Sequence, residues 1–149
     1  MATFYCRPDT WDESIVHHVY YDNEYGNGSL PSADTVIDIG AHIGSFSALV
    51  AKRGAGRVLA FEPHLENARL AMRNTREFGS VVEVYPLGIW RSDENLLGCR
   101  SHGGWSPENG NNTGGGSLAE RMRFPEQVAV IALDAVLQML GRVRLMKID

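Results

Sequence analysis

Residues 35–47, Thr-Val-Ile-Asp-Ile-Gly-Ala-His-Ile-Gly-Ser-Phe-Ser, constrain this chain more than any other stretch. Val36, Ile37 and Ile39 form a nearly continuous apolar run, as expected of a parallel strand buried on both faces. Gly40 and Gly44 then bracket a tight turn, and a helical pattern begins behind it. A helix start leaves backbone N–H groups unpaired. A strand, a glycine turn and a helix in that order form the place where an α/β sheet receives a nucleotide-like cofactor.

The rest of the chain reads as further units built on that sheet. Residues 1–34 form an approach, with Phe4 and Tyr5 in a short strand and a weak helix over 12–21 capped by Thr10 or Asp12. His17, His18, Tyr20 and Tyr21 on it read as a surface helix with partly buried aromatics, or as a cover over a pocket. Turn formers fill 22–32. After the strand at 35–39, Ser45 caps a helix over 46–53, stopped by Gly54 or Gly56. A second strand over 57–61 ends in Glu62-Pro63, and Leu65, Ala68 and Met72 carry a helix from Pro63 to about residue 78, with Gly79 as its stop. A third strand over 81–90 is broken near Pro86.

Residues 98–117 then hold seven glycines and three asparagines, too many for a regular element, so they read as a functional loop or a disordered one. An apolar strand over 127–133, a short helix over 134–140 capped by Asp134, and a strand over 143–149 follow. The alternation predicts an α/β fold, a Rossmann-like, doubly wound, mainly parallel sheet over 35–149 behind an amino-terminal cover segment over 1–34. It ends where such a sheet needs further strands. A truncated piece, or a homo-oligomer that covers the open sheet edge, is therefore expected.

Composition narrows the partners. A net charge of −4 disfavours duplex nucleic acid. Cys6 and Cys99 lack metal-ligand spacing and suit a reducing cytoplasm, and no metal is expected. No apolar run approaches the ~20 residues of a membrane span, and no signal peptide is evident.

Chemistry concentrates at two strand ends. The glycine spacing is Gly-x-x-x-Gly rather than Gly-x-Gly-x-x-Gly, and Asp38 sits on the strand end itself. A fixed carboxylate there repels a pyrophosphate but suits a cation, such as the amino group of an amino-acid tail. Glu62 ends the next strand, about 20 residues past the glycine turn, where an acid accepts hydrogen bonds from ribose hydroxyls. The cofactor that joins an amino-acid tail to an adenosine is S-adenosylmethionine.

Three blocks carry a resemblance to a known family: Val36-Ile-Asp-Ile-Gly-Ala-His-Ile-Gly-Ser-Phe-Ser47, Val58-Leu-Ala-Phe-Glu-Pro63 and Leu145-Met-Lys-Ile-Asp149. They resemble the class I S-adenosylmethionine-dependent methyltransferases, and among them the FkbM family, whose members largely methylate hydroxyl oxygens of sugars and natural products. Arg7-Pro-Asp-Thr-Trp-Asp12 is similar to that family's amino-terminal Arg-x-x-Thr-x-Asp segment. This chain has His42 where the family usually has Asn, and the family continues past the equivalent of Asp149 with a Glu-Gly segment and further strands.

The resemblance implies that Asp38, Gly40, Ala41, His42 and Gly44 hold the methionine part, Glu62 the ribose, and that Gly88 lies near the adenine. Lys147 and Asp149 then stand beside the methyl group, with Asp149, His42 or His102 as general base for a small-molecule hydroxyl acceptor. For Lys147 the competing reading is an ion pair with a neighbouring acid. His102 and Trp105 fall in the segment expected to set acceptor specificity. A nicotinamide-dependent oxidoreductase and a non-catalytic cofactor-binding module are the alternatives.

Overall fold

The computed structural model of the chain describes residues 3–26, 34–91, 96–100, 113, 117–119 and 126–149. Four strands, β1 (Thr35–Ile39), β2 (Arg57–Phe61), β3 (Val82–Tyr85) and β8 (Val143–Ile148), form a sheet in the order β3-β2-β1-β8 with every pair parallel. Helices α2 (Ser45–Lys52) and α3 (Leu65–Asn74) make the crossovers from β1 to β2 and from β2 to β3. The expected parallel, Rossmann-like α/β sheet is therefore present.

Side-chain alternation along β1 explains why the strand reads as a continuous apolar run. Val36 packs to one side with Phe46, Val50 and Val58, while Ile37 packs to the other with Leu59, Phe61 and Val136 of α4 (Leu133–Gln138). Both Val36 and Ile37 are fully buried, and each such side chain contributes about 1.5–3 kcal/mol. Asp38 shares the Val36 side by the period of two. Its register partner on β8 is Lys147. The strand alternation thus places an acid and a base side by side under α2.

A second sheet has the order β4-β7-β5-β6. β4 (Gly88–Trp90) runs parallel to β7 (Glu126–Ala132), and β5 (Leu96–Arg100) pairs antiparallel with both β7 and β6 (Ser117–Ala119). The irregular segment expected over 98–117 is corrected at both ends. Gly98 to Arg100 lie in β5 and Ser117 opens β6, because each takes its ladder bonds from a neighbouring strand despite the glycine content. His102 and Trp105 lie outside the described residues. The break expected near Pro86 is present: proline has no N–H for a ladder, and the chain leaves β3 for β4 in the other sheet.

Other local expectations are corrected by tertiary hydrogen bonds. Phe4 and Tyr5 are not in a strand; the Asn74 amide instead takes both backbone groups of Tyr5, accepting from its N at 2.7 Å and donating to its O at 3.2 Å. The expected helix over 12–21 is an α-turn, α1 (Asp12–Val16), followed by a π-turn (His17–Tyr21), in which Asp22 N donates to His17 O at 2.9 Å. Tyr20 of that turn is buried against Phe4, while Tyr21 is exposed.

Neither Asp12, Ser45 nor Asp134 caps its helix; Trp11, Gly44 and Ala132 hold those positions without a side-chain bond. Helix α3 begins at Leu65 rather than at Pro63, and stops before residue 78. The Thr75 hydroxyl donates to Ala71 O at 2.8 Å, and a 3-10 turn (Arg76–Val81) takes over.

Among the described residues β8 pairs on one side only, with β1, and its Leu145 and Ile148 are exposed. No helix among the described residues is long and apolar enough to cross a membrane.

Candidate functional site

The turn between β1 and α2 has three left-handed residues, Gly40 (φ +77), His42 (φ +52) and Gly44 (φ +85). Glycine adopts this region without strain, and Asn and His are among the side-chain-bearing residues most tolerant of it. His42 is thus of a residue type that this left-handed backbone accepts. Two further needs call for glycine. A Cβ on Gly40 would stand 3.1 Å from Asp149 O, and one on Gly44 would stand 3.1 Å from Ala71 Cα of α3. The first lets β8 close on β1, where Asp149 N donates to Ile39 O at 3.1 Å. The second lets α3 close on α2.

At the end of β1 the Asp38 carboxylate is fully buried. It accepts from the Ser47 hydroxyl at 2.7 Å and from Lys147 Nζ at 3.1 Å. The same ammonium donates to Gly40 O at 2.8 Å and lies 3.3 Å from Asp149 Oδ2. Burial by itself makes an ammonium more acidic, but the Asp38 and Asp149 carboxylates outweigh it and raise the Lys147 pKa above its usual value. Lys147 is therefore a cation held among three oxygens. The ion pair, one of the two readings open for it, is present.

At the end of β2, Glu62 is buried, with no cation among the described residues within ion-pair distance. Its Oε2 accepts from His42 N at 2.8 Å and its Oε1 from His64 N at 2.9 Å, with Asn67 Nδ2 more distant at 3.5 Å. Burial pushes the Glu62 pKa up, and the two backbone N–H groups only partly offset it. Asn67 Oδ1, also buried, has no hydrogen-bond partner among the described residues.

A third cluster closes over the turn from the amino-terminal segment. Asp12, fully buried, forms a two-pronged pair with Arg7, whose Nε and Nη2 donate at 2.9 and 3.0 Å. The Thr113 hydroxyl donates to Asp12 as well. Since that hydroxyl's one proton is used, it accepts from His42 Nε2 at 2.8 Å, which places a proton on Nε2. His42 Nδ1 is buried with no partner among the described residues. Desolvation opposes the charge on Asp12, but the bonds from His42, Arg7 and Thr113 prevail and hold its carboxyl well below the usual range.

The structure thus brings together Asp38, Gly40, Ala41, His42, Gly44, Glu62, Lys147 and Asp149 at the carboxyl ends of neighbouring parallel strands. Gly88 opens β4, opposite Val130 in the second sheet, with no bond to that group among those described. Asp12, Asn67 and Thr113 belong to the cluster and were not singled out for it from sequence. Asn67 Nδ2 donates to Thr113 O at 3.2 Å, and Thr113 lies 101 residues from Asp12, so only tertiary structure unites them. Arg7 and Asp12 did carry one signal, their five-residue spacing in the Arg-x-x-Thr-x-Asp segment.

A family model described as the methyltransferase FkbM domain matches residues 38–149. Over 80 residues the chain is 34% identical to the AMB antimetabolite synthetase AmbE of Pseudomonas aeruginosa, covering 52% of this chain and 4% of that protein. Similar solved structures include the tRNA methyltransferase TrmI from Aquifex aeolicus, at 20% identity and TM-score 0.41, covering 64% of this chain and 36% of that one. A SAM-dependent methyltransferase from Agrobacterium tumefaciens matches at 18% identity and TM-score 0.38, covering 54% and 26%. The chain therefore spans about a third or less of these solved chains and a small part of AmbE.

Proposed function

The chain belongs to the FkbM methyltransferase domain family, and from that premise we propose that it binds S-adenosylmethionine at the ends of β1 and β2 and serves methylation of a hydroxyl oxygen on a small molecule. The observation that carries this reading is the unspent acceptor capacity at the end of β2. Glu62 Oε2 takes one backbone N–H, and Oε1 takes one backbone N–H with only a long 3.5 Å contact from Asn67 Nδ2 besides, which leaves acceptor capacity on the carboxylate. Asn67 Oδ1 beside it is buried and unpartnered among the described residues. Such a group fits a ribose, whose two hydroxyls are donors for one carboxylate. The residues therefore suit the cofactor.

In this reading Glu62 holds the ribose, and Asp38 with the Gly40 carbonyl holds the amino group of the methionine tail. Ala41, His42 and Gly44 supply the turn against which that tail lies. When bound, the cofactor supplies an electrophilic methyl group on a sulfonium. The protein's part is alignment, which is the main need of such a displacement, and removal of the acceptor's proton. Asp149 is suited to take that proton: its side chain is 67% exposed at the end of β8. Lys147 is not, because its raised pKa keeps it an ammonium at neutral pH. His42, with its ring buried on Thr113 and Asp12, positions the amino-terminal segment over the turn. The likeness to part of an antimetabolite synthetase supports a small-molecule acceptor.

Titration calorimetry with S-adenosylmethionine and, separately, NAD+ tests the cofactor. Heat with the first and none with the second supports the reading; the reverse replaces it with the oxidoreductase alternative. Labelled methyl transfer onto a panel of hydroxylated compounds, compared with Asp149→Asn, then tests the acceptor chemistry. Binding without transfer to any compound favours a cofactor-binding module.

A further inference from the structure

We propose that the Lys147 ammonium is a tethered stand-in for the cofactor's amino group, holding that subsite in the free protein and leaving it when the cofactor enters. This rests on the cofactor reading above. Nζ of Lys147 lies 3.1 Å from Asp38 Oδ1 and 2.8 Å from Gly40 O. Those are the two acceptors assigned to the methionine amino group. Two ammonium groups do not sit there together, because like charges a few ångströms apart in a buried site repel.

A destination for the displaced side chain is at hand. Asp149 Oδ2 is 3.3 Å from Nζ on the same strand, two residues on and on the same face, and its side chain is exposed. A buried acid with no cation carries a large desolvation cost. Lys147 removes that cost from Asp38 in the empty site, and the incoming ammonium removes it in the loaded one. The same exchange makes the site selective. A ligand with an amino-acid tail replaces one cation by another, whereas an adenosine lacking the tail leaves Lys147 where it is. Displaced onto Asp149, the ammonium also stands beside the carboxylate assigned to the acceptor's proton.

The chain has two lysines, Lys52 and Lys147, so protein labelled with 15N at lysine Nζ reports on this directly. Lys52 is exposed on α2, so its ammonium protons exchange quickly with water, and Lys52→Arg confirms the assignment. The free protein should show one slowly exchanging ammonium signal, from Lys147. Saturating S-adenosylhomocysteine should abolish its protection, and saturating 5′-methylthioadenosine, which has no amino-acid tail, should leave it intact. In parallel, Lys147→Met should tighten S-adenosylhomocysteine by on the order of tenfold, from loss of a competing charged hydrogen-bond donor, with methylthioadenosine unchanged.

Protection that persists or increases with bound S-adenosylhomocysteine overturns the proposal, as does weaker binding by Lys147→Met. Absence of any S-adenosylhomocysteine heat overturns the cofactor reading, and the stand-in role with it.

Discussion

Two buried acids end neighbouring strands of one sheet, and they are satisfied in opposite ways. Asp38 on β1 meets a full positive charge, Lys147, together with the Ser47 hydroxyl. Glu62 on β2 meets backbone dipoles, the N–H groups of His42 and His64. The consequence appears in the titration of Lys147 and Glu62. At β1 the carboxylates raise the lysine; at β2 burial prevails and the Glu62 pKa rises. The β1 end already holds a cation, so a cationic ligand there must exchange for it. The β2 end holds none among the described residues and keeps acceptor capacity, so a hydroxyl ligand there can add. A pocket with one subsite of each kind discriminates by exchange and anchors by addition.

The comparison breaks most readily at Asp38. Among the described residues, Asp38→Asn leaves Lys147 with only the exposed Asp149 as an ion-pair partner, and it should cost about 3–5 kcal/mol of stability, read by urea unfolding. Glu62→Gln should cost less, about 1–3 kcal/mol, because one backbone N–H then faces an amide NH2. Equal losses, or a larger loss at Glu62, would erase the distinction between the two ends.

The turn that joins them gives the next effect. Gly44→Ala adds left-handed strain of about 1–2 kcal/mol and a Cβ placed 3.1 Å from Ala71 Cα. Its unfolding midpoint should fall between those of Asp38→Asn and Glu62→Gln. A neutral outcome would mean that α2 and α3 do not close on each other there.

The smallest effect at neutral pH lies in acid. Asp12 is held well below the usual carboxylate range, so its folded pKa is depressed. The stability it contributes is complete above about pH 4, its ordinary value, and is lost progressively as pH falls below that. Glu62 has the opposite sign, since its raised pKa favours the folded state at low pH. Melting temperatures taken downward from pH 7 should therefore start to fall below about pH 4, and Asp12→Asn should flatten that decline. An unchanged slope in Asp12→Asn would remove Asp12 from the account.

Much of this was legible before any coordinates. β1 and β2 were readable to their ends because strands buried on both faces need apolar residues at successive positions, and Asp38 and Glu62 stood out as acids at the ends of such runs. The first glycine turn was readable because its spacing is local. Capping was not. Ser45 and Asp134 are good caps by type, yet the chain enters α2 through left-handed Gly44 and α4 through extended Ala132. Thr10 or Asp12 reads as a cap because nothing in the sequence says that His42 and Thr113 converge on Asp12. Asn74 replaced an expected strand by bonding Tyr5, 69 residues away. What escaped was of one kind: side chains whose partners are set by the fold rather than by their neighbours in the chain. Asn67, the unpartnered acceptor beside Glu62, belongs to that group.

The central claim is that the β2 end anchors the cofactor through Glu62. Titration calorimetry of S-adenosylhomocysteine against the parent and Glu62→Gln, with folding of the variant verified by circular dichroism, tests it most directly. Loss of one charge-assisted hydrogen bond, about 1.5–3 kcal/mol, should weaken affinity by roughly ten- to a hundredfold. Equal affinity in the folded variant would contradict the assignment.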